Sequence, residues 1–144
     1  TTQKTVILAE KNVIINGPIQ VTPGAFFMIV AKGNIIVSNT VGAAPNVYSC
    51  ATTATQKLQG FFSTDSSFII TSAAACPTAD RQLNMAGSVI TNAGQTGGKF
   101  TNQRTLCGAN LQYPAFTISP RLDFALNAPP YLLRTSTNWQ EVAP

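Results

Sequence analysis

Apolar residues along this chain come in short bursts that recur. Ile7-Leu-Ala-Glu-Lys-Asn-Val-Ile-Ile-Asn16 matches Ile29-Val-Ala-Lys-Gly-Asn-Ile-Ile-Val-Ser38, 22 residues on. A third copy is Phe62-Ser-Thr-Asp-Ser-Ser-Phe-Ile-Ile-Thr71, and a fourth is Leu83-Asn-Met-Ala-Gly-Ser-Val-Ile-Thr-Asn92. Aligned, they give an apolar column of Ile7, Ile29, Phe62 and Leu83, then a small polar column of Asn12, Asn34, Ser67 and Ser88. Three apolar columns follow: Val13/Ile35/Phe68/Val89, Ile14/Ile36/Ile69/Ile90 and Ile15/Val37/Ile70/Thr91.

Each copy reads as a β-rich unit whose Val, Ile and Phe form strands and whose Asn, Ser and Gly form turns. A repeat of this length suits one rung of a stacked coil, in which equivalent residues lie about 4.8 Å apart. The fold class expected is all-β: a short right-handed parallel β-helix of about four rungs, with a C-terminal cap or lateral arm. An antiparallel β-sandwich is the alternative. Residues 1–100 hold the rungs and 101–144 a final rung, cap and arm, within one domain. The step from the second copy to the third is 33 residues, and its surplus marks 41–56 as an inserted loop. Side chains alternate across a strand. If the two flanking columns point inward, Ile14, Ile36, Ile69 and Ile90 form an outward apolar stripe. A neighbouring subunit or the segment from Phe116 to Trp139 is expected to cover it. The rival reading of that segment, with its single Trp, is a sugar site.

Composition narrows the chemistry. Charged residues are only 10% of the 144, and the net charge is +4. There is no His, which removes His-based acid–base catalysis and His-ligated metal sites. No cofactor is expected. Nine cations spread along the chain form no patch for nucleic acid. The longest apolar run, Ala25 to Ala31, is far below the roughly 20 residues of a membrane span. The chain starts at Thr1 with no signal-peptide pattern and reads as a processed product or an excised domain.

Three cysteines allow three single bridges. Cys50 and Cys76 both sit in loop-like segments and form the first-choice pair, leaving Cys107 over. Low charge and a disulfide suit an exported protein at the cell surface. Glu10, Lys32 and Asp65 align as a small charge ladder. Asp65, Asp80 and Arg81 are the candidate lining of a ligand groove, the arrangement a carbohydrate-binding or polysaccharide-cleaving protein would need.

Ile29-Val-Ala-Lys-Gly-Asn-Ile-Ile-Val and Gly60-Phe-Phe-Ser-Thr-Asp-Ser-Ser-Phe-Ile resemble rungs of bacterial right-handed β-helix modules, including the polymer-forming bactofilin type. Together with the tail Pro120-Arg-Leu-Asp-Phe-Ala-Leu-Asn-Ala-Pro, they also resemble the C-terminal β-helix regions of large bacterial surface or pilus-associated proteins. The resemblance implies a non-enzymatic structural or adhesive role through assembly or surface binding. The partners implied are protein, either a second copy or upstream domains of a parent chain, with glycan as the alternative.

Overall fold

Short β-branched bursts separated by turn residues fold into short parallel strands. In a computed structural model, residues 3–49, 52, 55–73, 75–94 and 97–132 are described. Nine strands form: β1 (Lys4–Ala9), β2 (Val13–Ile15), β3 (Phe26–Ala31), β4 (Ile35–Val37), β5 (Gln56–Thr64), β6 (Phe68–Ile70), β7 (Leu83–Ile90), β8 (Phe100–Asn102) and β9 (Phe116–Ser119). A short helix, α1 (Leu122–Asn127), follows, and 3-10 turns occupy Cys107–Leu111 and Pro130–Leu132.

The chain alternates between two sheets. One is ordered β1-β3-β5-β7-β9 and the other β2-β4-β6-β8. Every pairing between these strands is parallel, which removes the antiparallel sandwich. Connections from an odd strand to the next even strand are tight, at 10–12, 32–34 and 65–67, and lengthen only at 91–99. Connections back are wide: 16–25, 38–55, 71–82 and 103–115. The surplus after the second copy therefore emerges on the wide side, with the other long loops.

The first two repeat steps are in the expected register. Ile7 pairs with Ile29 and Ile29 with Phe62, while Ile14, Ile36 and Ile69 stack in order. The third step is not. Val89, rather than Leu83, pairs with Phe62, and Phe100 takes the place beside Phe68. Ile69 accordingly meets Thr101, and Ile90 lies in the other sheet opposite Ser63. The apolar triplet Val89-Ile90-Thr91 imitates the short strand β6 in sequence. Val89 and Ile90 are instead the end of the long strand β7, and the nine residues 91–99, starting with Thr91, carry the chain around to β8.

The space between the sheets is filled by Ile15, Ile29, Ile35, Val37, Leu58, Phe62, Phe68, Ile70, Leu83 and Met85. An aromatic ladder leads from it out to the exposed Phe100 of β8. Phe68 stacks on Phe100 with centroids 5.7 Å apart, and Phe100 meets Phe116 at 5.3 Å. Where β5 and β7 run side by side, Gly60 faces Gly87. A β-carbon on Gly87 would sit 1.9 Å from the Gly60 carbonyl oxygen, and its φ of +131° suits glycine alone.

A second apolar cluster lies outside this core. Phe124 and Ala128 pack on Phe26, with Val6, Val21, Met28 and Phe61 around them. These strand residues lie on the outer face of the five-stranded sheet. Arg121 fixes α1 there by donating to the Val21 carbonyl and the Gln59 side chain, both at 2.9 Å, and by pairing with Asp123. The Arg121 hydrogen bond and charge hold the Asp123 carboxyl below the usual aspartate range against the opposing effect of burial. The C-terminal segment thus covers the five-stranded sheet, whereas the Ile stripe was expected beneath it. Phe116–Leu132 is the part described, and Trp139 lies outside the described residues. Ile14 is 61% exposed and Ile36 and Ile69 are half-buried on the outer face of the four-stranded sheet.

This facing gives a direct expectation for stability. Phe62→Ala should cost about 3–5 kcal/mol in denaturant unfolding, because it empties a fully buried site. Ile14→Ala, one residue from a core position, should stay within about 0.5 kcal/mol. Equal losses would contradict the assigned faces.

Candidate functional site

Polar side chains at the tight corners are consumed in stacking the turns. Asn12 Oδ1 accepts from the Asn34 backbone N–H at 2.8 Å. Asn34 Oδ1 accepts in turn from Ser66 Oγ at 2.8 Å and the Ser67 N–H at 3.0 Å. Ser67 Oγ then accepts from the Lys99 N–H at 3.0 Å. The small polar column is therefore a hydrogen-bond ladder between successive turns. Its fourth member is Lys99, in place of Ser88. On the outside of this corner Lys32 pairs with Glu10, and its pKa is raised by that hydrogen bond and charge, with Asp65 adding to it. Both side chains are exposed, so this pair adds little to stability.

The wide side is held differently. Arg104 follows β8 and is buried, with its guanidinium directed at backbone carbonyls. Nε donates to Thr71 O at 3.2 Å, Nη1 to Val41 O at 2.6 Å and Arg81 O at 2.9 Å, and Nη2 to Ser38 O at 2.7 Å. One side chain, itself in the connection 103–115, thus satisfies carbonyls from the two wide connections 38–55 and 71–82. Burial pushes its pKa down to about 10, Asp80 opposes this and Arg81 adds to it; the group stays charged at neutral pH. Asp80 is buried beside it. Its carboxylate accepts from Ser72 Oγ at 2.7 Å, the Ala73 N–H at 3.0 Å and the Thr105 N–H at 2.9 Å. Gln82, fully buried, accepts from the Ser49 N–H and donates to Pro114 O.

The candidate groove of Asp65, Asp80 and Arg81 does not assemble. Asp65 stands at the tight corner after β5, while Asp80 and Arg81 precede β7 on the wide side. In parallel strands these are opposite ends of one sheet. Asp80 holds turns together, and Arg81 Nη1 reaches the Ala43 carbonyl at 3.3 Å. Arg104 was missed at the level of sequence, since a lone Arg in a Gln-Arg-Thr segment carries no periodic signal. Among the described residues no three His, Cys, Asp or Glu side chains gather as a metal site, and no helix is long and apolar enough to cross a membrane.

The cysteine pairing also differs from expectation. Cys76 is bonded to Cys107, with their Cα atoms 5.7 Å apart, in place of Cys50–Cys76. The pairing of β6 with β8 brings connection 71–82 beside 103–115. Asp80 clamps the two by donating its N–H to Thr105 O at 2.8 Å while its carboxylate receives the Thr105 N–H. Cys107 is thereby delivered to Cys76. Cys50 lies outside the described residues.

The remaining feature is the β1–β2 end of the two sheets, which nothing described overlies. Ile7 and Val13 occupy inward columns, yet Ile7 is 42% exposed and Val13 half-buried, while their register partners Ile29 and Ile35 are buried. Strand β1 is the sheet edge. Gln3 O accepts from the Phe26 N–H and Ala9 O from the Lys32 N–H. Odd-numbered residues of β1 therefore face β3, and Lys4, Val6 and Leu8 direct their N–H and C=O groups outward. Beside the start of β1 lies a groove of about 500 Å³ lined by Gln3, Thr5, Ile19, Val21, Ala25 and Phe27, with no ionisable side chain in its walls. Comparison with protein families, curated proteins and solved structures finds no match.

Two expectations follow for the wide side. Arg104→Met should destabilise the fold by about 3–5 kcal/mol, because the Ser38, Val41, Thr71 and Arg81 carbonyls lose their donor. Thermal or urea unfolding measures it, and a loss under about 1 kcal/mol would deny Arg104 this role. Non-reducing peptide mapping should recover Cys76 joined to Cys107. Cys107→Ser should then lower stability by about 3–4 kcal/mol through the loop entropy of a 31-residue separation.

Proposed function

We propose that this chain is a short right-handed parallel β-helix serving as a non-enzymatic structural or adhesion module. Its setting would be a bacterial surface or pilus-associated protein, and it would act by assembly or surface binding. Several features support the reading. Strands alternate between two parallel sheets and stack in columns, which suits a coil built for length. The buried ionic groups Asp80 and Arg104 hold turns together. A disulfide joining two wide connections suits an oxidising extracellular setting.

One observation carries the assembly reading: among the described residues nothing overlies the inward columns at β1 and β2. In the next rung the same columns are buried, so the first rung is a core surface lacking its neighbour. A further rung would bury it, supplied by preceding chain or by a second copy. Sheet edges of this kind pair unless they are blocked.

Sedimentation velocity over a wide concentration range tests this. Concentration-dependent association is expected, and it should weaken when Ile7 and Val13 are replaced together by Ser. A chain that stays monomeric at the highest attainable concentration would remove self-assembly from the reading.

A further inference from the structure

The edge strand and the residue after it read Lys4-Thr-Val-Ile-Leu-Ala-Glu10, a cation at one end, an anion at the other and an apolar centre. Such a segment is complementary to itself when reversed. We infer that β1 is the contact of a two-fold symmetric dimer, pairing antiparallel with β1 of a second copy so that Lys4 of each faces Glu10 of the other. The inference rests on the assembly reading above and specifies its partner and geometry.

Three independent features select this register. The first is backbone direction. Lys4, Val6 and Leu8 are the residues of β1 whose N–H and C=O groups point away from β3, as the Gln3 and Ala9 carbonyl bonds establish. With Lys4 opposite Glu10, Val6 falls opposite Leu8, and two outward-pointing residues meet in a hydrogen-bonded pair. The second is side-chain face. Lys4, Val6 and Leu8 share one face and Glu10 is the first residue of the turn that follows, so the ion pairs flank a Val6–Leu8 apolar contact, while Ile7 meets Ile7 on the inward face at the two-fold axis. Leu8, 78% exposed in the single chain, gains a partner, and Ile7 continues the core column across the junction. The third is charge. Sliding the strands by two residues sets Lys4 against Leu8 and leaves Glu10 without its partner. Glu10 already pairs with Lys32, and Lys4 of the second copy would extend this into an alternating network.

The opposite end of the same sheet is blunted. β9 is four residues long and bracketed by Pro114 and Pro120. The Leu83 N–H donates to Ala115 O, so odd-numbered residues of β9 face β7 and position 120 faces outward, where a proline offers no N–H. Head-to-tail stacking would use this poor edge. Pairing β1 with itself uses the open edge twice and closes after two copies.

Cross-linking tests the register. In a Cys50→Ser background, Ile7→Cys places two thiols on the axis in a non-hydrogen-bonded pair, where Cα atoms lie about 4.5 Å apart and disulfides form readily. Mild oxidation should yield a covalent dimer with Ile7→Cys and none with Val6→Cys, whose partner is Leu8. Leu8→Pro removes only an outward N–H and an exposed side chain. It should leave the circular dichroism spectrum of the monomer unchanged while raising the dimer dissociation constant at least about tenfold. Association without an Ile7 cross-link, or association indifferent to Leu8→Pro, overturns this interface and leaves the assembly reading standing. A chain that is monomeric at all concentrations overturns both this interface and self-assembly.

Discussion

The guanidinium of Arg104 is the fixed point around which the wide side of the molecule is built. Long connections leave backbone carbonyls turned inward without strand partners, and a buried unsatisfied carbonyl is costly. Arg104 answers this with its planar fork of donors, reaching Ser38, Val41, Thr71 and Arg81. Burial acts against its charge and lowers its pKa, while Asp80 partly offsets that. The same carboxylate draws Thr105 toward Ser72 and Ala73, which sets Cys107 against Cys76. Loop lengths on this side can therefore vary from rung to rung without loosening the stack.

The two sides solve one problem by different means. At the tight corners the turns are short and alike, so a single side chain per rung can bond the next turn, and Asn12, Asn34 and Ser67 do so in sequence. Gly33 is part of this device, because a β-carbon there would lie 2.3 Å from Asn12 Oδ1. On the wide side no two connections have the same length, so no ladder can form and a long, multidentate residue replaces it. Loop growth is concentrated on that side, and 91–99 is the one lengthened connection on the other.

The ends of the stack differ as much as the sides. The last rung is closed by a proline-bracketed strand and by a disulfide to the preceding connection. The first rung presents a regular edge and half-exposed core residues. Along the flank, α1 seals one outer patch through Phe124, and the Ile14/Ile36/Ile69 stripe faces outward on the other sheet. Among the described residues the two ends of the sheets thus differ, one blunted by prolines and the other presenting a regular edge.

Local pattern made a good part of this visible. Alternating Val and Ile with Asn and Ser at strand ends specified short strands, their faces and the register of the first three rungs, since corners of equal length carry a repeat faithfully from 7 to 29 to 62. The same reasoning misplaced the Leu83 copy, because Val89-Ile90-Thr91 has the composition of a β6-type strand, whereas Val89 and Ile90 end β7 and Thr91 opens the connection to β8. It also grouped Asp80 and Arg81 with Asp65, which parallel strands set at opposite ends. By itself the sequence determined what depends on neighbours along the chain: strand, turn, and the side each residue faces. Tertiary structure alone decided the targets of Arg104, the Cys76–Cys107 bond, the β8 register and the docking of α1. Each of these depends on which backbone groups and surfaces are brought together from rungs distant in sequence, and no local pattern encodes that meeting.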